Sequence, residues 1–151
     1  MNATLKLKAA PAATPFGVLF REFFQTFRAA AEERLRPVGY TFTQSMVLCY
    51  VDREPGITSA ELARRAMVTP QSMGEVLTGL EKSDLLRRER HPENGRMQAT
   101  HLTRAGKAAN SACRAEMDKV DARMLELMSD SERALFSKLL IGAMEGMRKE
   151  L

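Results

Sequence analysis

Between residues 58 and 96 the chain carries polar and cationic side chains whose chemistry suits contact with a polyanion and with nucleotide base edges. An arginine guanidinium can bind phosphate oxygens, a glutamine amide can form two hydrogen bonds with adenine, and a proline ring can pack on a thymine methyl group. The residues with this potential are Arg64, Thr69, Pro70, Gln71, Ser72, Glu75, Thr78, Arg88, Arg90 and Arg96. Together these residue types predict a DNA-contacting surface.

Helix signals place most of these residues on two consecutive helices. Thr58 with Glu61 three residues later is a capping-box pattern, which predicts the start of a short helix. Thr69-Pro70 repeats the start signal, because threonine is a good N-cap and proline is favoured in the first helical turn. The second helix has an inward-facing apolar stripe, which consists of Met73, Val76, Leu77 and Leu80. Its opposite face is therefore free to contact a partner.

Two strand-like runs, residues 85–90 and 97–102, follow these helices. The segment between them contains Asn94-Gly95, which supplies the positive φ angles that a hairpin tip needs. Arg96 beside this tip suits insertion into a narrow minor groove. The order helix, turn, helix, hairpin predicts a winged helix-turn-helix over about residues 42–103, whose second helix enters the DNA major groove.

Apolar helices are predicted on both sides of this module. Residues 1–13 are predicted to be a flexible arm, and helices are expected over about 14–36 and 104–151 within one domain, 14–151. Thr14-Pro15 is expected to begin the first helix, and the next caps are assigned to Thr43, Thr103 and Ser129. The apolar stripes include Phe16, Leu135, Leu139 and Met147. These stripes extend beyond a small module, so we expect a homodimer that interleaves the flanking helices. The fold class is thus mainly α with a small β-hairpin wing.

Composition narrows the class of protein further. The chain has 151 residues, a formal net charge of +4 and a pI of about 9.3, which is compatible with a nucleic-acid partner without requiring one. No apolar run reaches the ~20 residues of a membrane span, and the N-terminus lacks a convincing signal peptide. We therefore expect a cytoplasmic protein with no membrane association. Motifs for nucleotide loops, nucleophile elbows and metalloproteases are missing from the sequence, which argues against an enzyme.

The cysteines and histidines are few and scattered. Cys49 and Cys113 both fall on apolar helix patterns, which favours buried, reduced thiols. A redox-sensing role for Cys49 is the alternative, and it would need a lowered thiol pKa and solvent access. His91 and His101 lack partners at metal-ligand spacing, so we expect no metal and no cofactor.

The chain resembles the MarR family of winged-helix transcription regulators over roughly residues 15–150. The resemblance rests on Leu62-Ala63, Val68-Thr69-Pro70, Leu80-Glu81, Leu85, Arg96 and Leu102-Thr103-x-x-Gly106. The order and spacing of these motifs are specific as a set, although none is decisive alone. Asp84 stands where the family usually has glycine, and Asn94 replaces the usual wing aspartate. Gly74 and Glu75 occupy positions where serine or threonine and arginine are common.

The resemblance implies a sequence-specific regulator, most simply a ligand-responsive repressor that binds a pseudo-palindromic double-stranded DNA operator as a homodimer. It also implies a pocket for a small aromatic or phenolic effector between the dimer helices and the winged module. The candidate lining is Phe20, Phe24, Phe27, Met46, Cys49 and Tyr50. A winged-helix interaction scaffold without DNA binding is the alternative of a different class.

Overall fold

The computed structural model describes residues 14–90 and 98–148. The elements in chain order are α1 (Phe16–Leu35), a 3₁₀ turn (Arg36–Val38), α2 (Phe42–Arg53), α3 (Ser59–Arg65), α4 (Pro70–Lys82), β1 (Leu86–Arg90), β2 (Gln98–Leu102), α5 (Arg104–Leu125) and α6 (Asp130–Arg148). This order confirms the mainly α winged helix-turn-helix that the sequence predicts. The arm 1–13 and the predicted hairpin tip, with Arg96, lie outside the described residues.

Most of the predicted helix caps form, but two starts differ. Thr58, Thr69 and Thr103 each accept a hydrogen bond from the backbone N–H three residues ahead. Thr14 is not the first cap: Pro15 holds that position, and it has no side-chain acceptor to offer. Thr43 is likewise not the cap of α2, because Thr41 forms a reciprocal capping box with Gln44.

Of the two predicted capping boxes, the one at α6 forms completely and the one at α3 forms only in part. Ser129 and Glu132 form the predicted reciprocal box at the start of α6: the Ser129 N–H donates to Glu132 Oε2 over 2.7 Å, and the Glu132 N–H donates back to Ser129 Oγ over 3.4 Å. At α3 only Thr58 acts as predicted. The Glu61 carboxylate accepts hydrogen bonds from Arg64 and Arg65 instead.

The wing is a two-stranded antiparallel hairpin that is tied to the segment before α3. Leu86 pairs with Leu102, and Arg88 pairs with Thr100. The Gly56 N–H donates to Thr100 O over 2.9 Å, and the Thr100 N–H donates to Ile57 O over 3.2 Å. The middle of β2 is therefore hydrogen-bonded to the segment that precedes the helix-turn-helix.

The core lies where α2, α3, α4, β1 and the first half of α5 meet, and it includes the end of α1. Its fully buried side chains include Leu35, Val47, Leu48, Leu62, Met73, Leu77, Leu80 and Leu86. Asn110 on α5 is also buried, and its Nδ2 donates to Asp52 Oδ2 over 3.1 Å. The apolar packing anchors the inner face of α4 and leaves its outer face free.

Two helices of the winged module end in the same backbone motif, which requires a left-handed residue. The N–H of Val68 bonds Ala63 O, and the N–H of Leu85 bonds Leu80 O, as in a Schellman cap. The left-handed residues are Met67 and Asp84, with φ angles of 52° and 54°. The prediction that Asp84 tolerates this conformation in place of glycine is confirmed.

We expect Met67→Gly to raise the free energy of unfolding by about 0.5–1 kcal/mol, because glycine removes the left-handed strain and Met67 has little packing to lose. The Met67 residue is 74% exposed. Urea unfolding at fixed protein concentration measures the change. Asp84→Gly is the matched control and should gain less, because aspartate adopts this conformation more readily than methionine. A destabilised Met67→Gly variant would contradict this account of the turn.

Candidate nucleic-acid interface

The outer face of α4 carries most of the predicted base-contacting residues. Thr69 Oγ1 accepts from the Ser72 N–H over 3.1 Å and donates to Ser72 Oγ over 2.9 Å, which fixes the first turn. Pro70 occupies the first helical position. Because Met73 and Leu77 are fully buried, the side chains on the opposite side of the helix project outward.

A shallow groove of about 520 Å³ runs along this outer face. Its lining is Gln71, Gly74, Glu75, Thr78, Gly79, Lys82 and Arg88, and these residues are called the reading face below. The structure thus brings four predicted residues together, Gln71, Glu75, Thr78 and Arg88. Lys82 was not among the predicted contacts, although its spacing of eleven residues from Gln71 places it on the same side of an α-helix.

Arg64 lies on α3 and is oriented by an acidic neighbour. The Glu61 carboxylate accepts from Arg64 Nη2 over 2.6 Å and from Arg65 Nε over 2.6 Å. These hydrogen bonds, first from Arg64 and then from Arg65, lower the pKa of Glu61 to about 2. The Arg64 side chain is nevertheless 74% exposed, so its guanidinium remains available to solvent-borne phosphate.

Arg65 connects α3 to the end of α2. Its Nη2 lies 2.8 Å from Glu54 Oε2, and its guanidinium carbon lies 5.9 Å from the centre of the Tyr50 ring. Burial raises the pKa of the Tyr50 hydroxyl. A residue that was assigned to the effector site is thereby linked to the helix-turn-helix.

The two described wing arginines among the predicted contacts have different surroundings. Arg90 is exposed at the end of β1. It lines a cavity of about 620 Å³ together with residues that include Glu54, Glu89 and His101. His101 Nε2 lies 3.1 Å from Glu89 Oε1 within this cavity. Arg88 is mostly buried, and its Nε donates to Glu81 Oε2 over 3.1 Å. Glu81 had no predicted role beyond its place in a family motif.

The six candidate effector residues are only partly brought together. Phe24 and Phe27 pack edge-to-face on Phe42, with ring centres 6.4 and 6.2 Å apart. Met46 and Tyr50 pack against the same core, and Cys49 is half-buried beside them on α2. Phe20 is 52% exposed. Neither of the two cavities described above is lined by any of these six residues.

Three further observations concern the buried thiol of Cys113, metal ligands and membrane spans. Cys113 is buried, and burial raises the pKa of its thiol to about 11. Residues 14–90 and 98–148 contain no group of three His, Cys, Asp or Glu side chains placed to hold a metal ion. Within the same ranges, no helix has the length and hydropathy needed to cross a membrane.

Comparison with known proteins identifies the family of this chain. A sequence model described as the MarR family matches residues 38–97. The HTH-type transcriptional repressor Rv2887 of Mycobacterium tuberculosis is 32% identical over 126 residues, which is 83% of this chain and 91% of the repressor. The chain belongs to the MarR family. Its predicted membership, which rested on motif order in the sequence, is confirmed.

Solved structures of MarR-family proteins extend the likeness to the fold. The M. tuberculosis MarR-family protein Rv2887 in complex with salicylic acid matches with a TM-score of 0.76 and 31% identity, over 87% of this chain and 98% of that protein. The same protein in complex with DNA matches with a TM-score of 0.73 and 30% identity, over the same shares. The MarR fold therefore includes the flanking helices as well as the winged module.

Proposed function

We propose that this MarR-family protein is a transcription repressor that binds a pseudo-palindromic DNA operator as a homodimer. The observation that carries the proposal is the reading face of α4, an exposed polar surface on a helix whose other side is fixed in the core. The relative that was solved with DNA has the same fold. In this account the protein acts by binding and not by catalysis, and it acts in the cytoplasm.

The proposed contacts divide into positioning and reading contacts. Arg64 and Arg90 supply exposed cations for phosphates, and Arg96 remains a predicted wing contact. Gln71 can pair with adenine, Glu75 can accept from a cytosine amino group, and Thr78 can reach a base edge. Thr69 caps α4 by accepting from the Ser72 N–H, and it donates to the Ser72 hydroxyl. Both hydroxyls therefore lie at the N-terminus of the helix, where phosphate binding is favoured.

Salt dependence of DNA binding tests this function against the interaction-scaffold alternative. Fluorescence anisotropy with labelled upstream DNA of the gene should give an affinity whose logarithm falls linearly with the logarithm of salt concentration. The slope reports the number of phosphates neutralised. A scaffold that does not use DNA should leave the anisotropy unchanged at every salt concentration, and that result would refute the proposal.

We expect Gln71→Ala to relax sequence preference more than it lowers total affinity. Gln71 lies in the first turn of α4, and a bidentate pair with one base contributes about 1–3 kcal/mol of discrimination. Competition with operator variants should therefore show lost discrimination at one position in each half-site. Lys82→Ala, on the same face, is the control that should weaken binding to all variants alike. A uniform loss for Gln71→Ala would make this residue a phosphate contact.

We further propose that a small aromatic or phenolic effector relieves DNA binding. Salicylic acid is bound to the relative of known structure. In this chain the half-buried Phe24, Phe27, Met46 and Tyr50 surround the edge of the core, and Cys49 lies beside them. The exposed Phe20 would complete the lining once a dimer partner covers α1. Titration of the operator complex with salicylate should release DNA, whereas cyclohexanol at equal concentration should not.

We expect regulation to be independent of cysteine oxidation. Cys113 is buried with a raised thiol pKa, so little reactive thiolate is present near neutral pH. A Cys49→Ser, Cys113→Ser double variant should retain its operator affinity and its response to the effector. The same two proteins are then treated with mild peroxide in the anisotropy assay. Release of the wild type but not of the double variant would instead establish a redox sensor.

A further inference from the structure

An ion pair joins the wing to α4, the proposed recognition helix, on the border of the reading face. Arg88 is the central residue of β1, and Glu81 lies in the last turn of α4. Arg88 Nε donates to Glu81 Oε2 over 3.1 Å, and Arg88 Nη2 donates to the same oxygen. The hydrogen bonds from Arg88 lower the pKa of Glu81, so its carboxylate is charged at neutral pH.

The burial of Arg88 distinguishes it from the other cations of this surface. Its side chain is 20% exposed, whereas that of Arg64 is 74% exposed. Across the hairpin Arg88 pairs with Thr100, which is fully buried, so its stem is held against the core. An arginine in this position presents its guanidinium to α4 and has little freedom to follow a phosphate.

The connection between α4 and β1 is short, so the Arg88–Glu81 pair can affect how the hairpin is oriented on the helix. Only residues 83–85 separate α4 from β1, and the left-handed Asp84 turns the chain between them. This short hinge determines where β1 begins but not the angle at which the hairpin leaves. The contact between Arg88 and Glu81 sets that angle together with the hydrogen bonds of Thr100 to Gly56 and Ile57. Two N–H donors in the middle of the strand share one carboxylate oxygen in the last turn of the helix.

We propose that Arg88 and Glu81 are a positioning pair that sets the wing relative to the recognition helix, and that Arg88 is not a phosphate contact. This inference rests on the proposed DNA-binding function. It revises the expectation from sequence, which placed Arg88 among the residues that touch DNA. It also gives Glu81 a role in binding, although a carboxylate near DNA would by itself repel phosphates.

Removal of the Glu81 carboxylate distinguishes a phosphate contact by Arg88 from a positioning role, because the two roles predict opposite changes in DNA affinity. If Arg88 bound a phosphate, Glu81→Met would free the guanidinium, delete a negative charge and tighten DNA binding. If the pair positions the wing, the same change should weaken binding. Methionine keeps an unbranched stem and a high helix propensity at position 81, and it preserves the buried stem at position 88.

The test is a double-mutant cycle of Glu81→Met and Arg88→Met, measured by anisotropy on the operator. We expect each single variant to weaken binding about tenfold and the double variant to weaken it about tenfold as well, not about a hundredfold, because each change breaks the same contact. The salt slope should remain that of the wild type. Tighter binding by Glu81→Met, or a slope reduced by about one in Arg88→Met, would overturn the inference.

Two further variants control for the loss of charge and for the loss of hydrogen-bond geometry. Arg87→Gln on the same strand loses an equal charge from the opposite face of the hairpin, and any loss of affinity should disappear at high salt. Arg88→Lys keeps the charge but not the two-pronged geometry, so positioning predicts weakened binding and a phosphate contact predicts near-normal binding. Circular dichroism must show every variant folded at the assay temperature. Failure of the wild type to bind any DNA would refute the proposed function, and the pattern among variants tests the pair.

Discussion

Replacement of Gly106 by alanine is expected to lower the free energy of unfolding by about 3 kcal/mol, because the new methyl group has no space. A Cβ atom at Gly106 would lie 1.8 Å from Leu85 O and 2.9 Å from Leu85 C. Both are backbone atoms. Leu85 O also accepts from the Thr103 N–H over 3.1 Å, and the Thr103 hydroxyl donates to Asp84 O over 2.6 Å. The start of α5 therefore packs directly on the exit from α4 and cannot move away alone.

Urea unfolding followed by circular dichroism, at fixed protein concentration, measures this loss. Gly79→Ala is the control, because a Cβ there meets nothing within 4 Å and alanine should stabilise the helix by about 1 kcal/mol. The prediction is wrong if the Gly106 and Gly79 variants unfold at similar urea concentrations. In that case the close contact between α5 and Leu85 does not hold the wing junction together.

The second large effect is expected on assembly. Introduction of glutamate at both Leu135 and Leu139 should convert the homodimer to a monomer and reduce operator affinity at least a hundredfold, because two half-sites can no longer be bound together. These residues are 54% and 62% exposed on α6 in a single chain. Phe16 on α1 is likewise 75% exposed in the single chain. A second copy would cover both.

Light scattering at low micromolar concentration should give about twice 16.9 kDa for the wild type and 16.9 kDa for the double variant. Lys138→Glu, between the two leucines in sequence, reverses a charge without removing an apolar contact and should remain dimeric. A wild-type protein that binds its operator as a monomer would refute the interleaved dimer. A double variant that remains dimeric would place the interface elsewhere.

Local chemistry was the most predictable part of the fold. Thr58, Thr69 and Thr103 begin helices as expected, because each offers an oxygen to an N–H group that otherwise lacks a partner. The N-cap of α2 was predicted at Thr43, whereas it lies at Thr41. The capping-box pattern already favoured Thr41, because Gln44 stands three residues ahead of it, whereas Met46 stands three residues ahead of Thr43.

Partners that belong to different secondary-structure elements were not predictable in the same way. Glu81 was visible as a motif residue, but its ion pair with Arg88 depends on how the hairpin folds back on α4. The aromatic stripe of α1 was also read as one surface. The fold divides it, because Phe24 and Phe27 pack on Phe42 while Phe20 remains exposed in the single chain. Periodicity identifies an apolar face but does not identify what covers each part of it.

Selection of bound DNA from a random library tests most directly whether this surface reads sequence as a dimer. We predict enrichment of two inverted half-sites whose centres lie about 10 base pairs apart, since two recognition helices of a symmetric dimer enter successive major grooves. The Gln71→Ala protein, selected in parallel, should lose preference at one position in each half-site. Enrichment of no sequence, or of a single motif without an inverted repeat, would contradict the account.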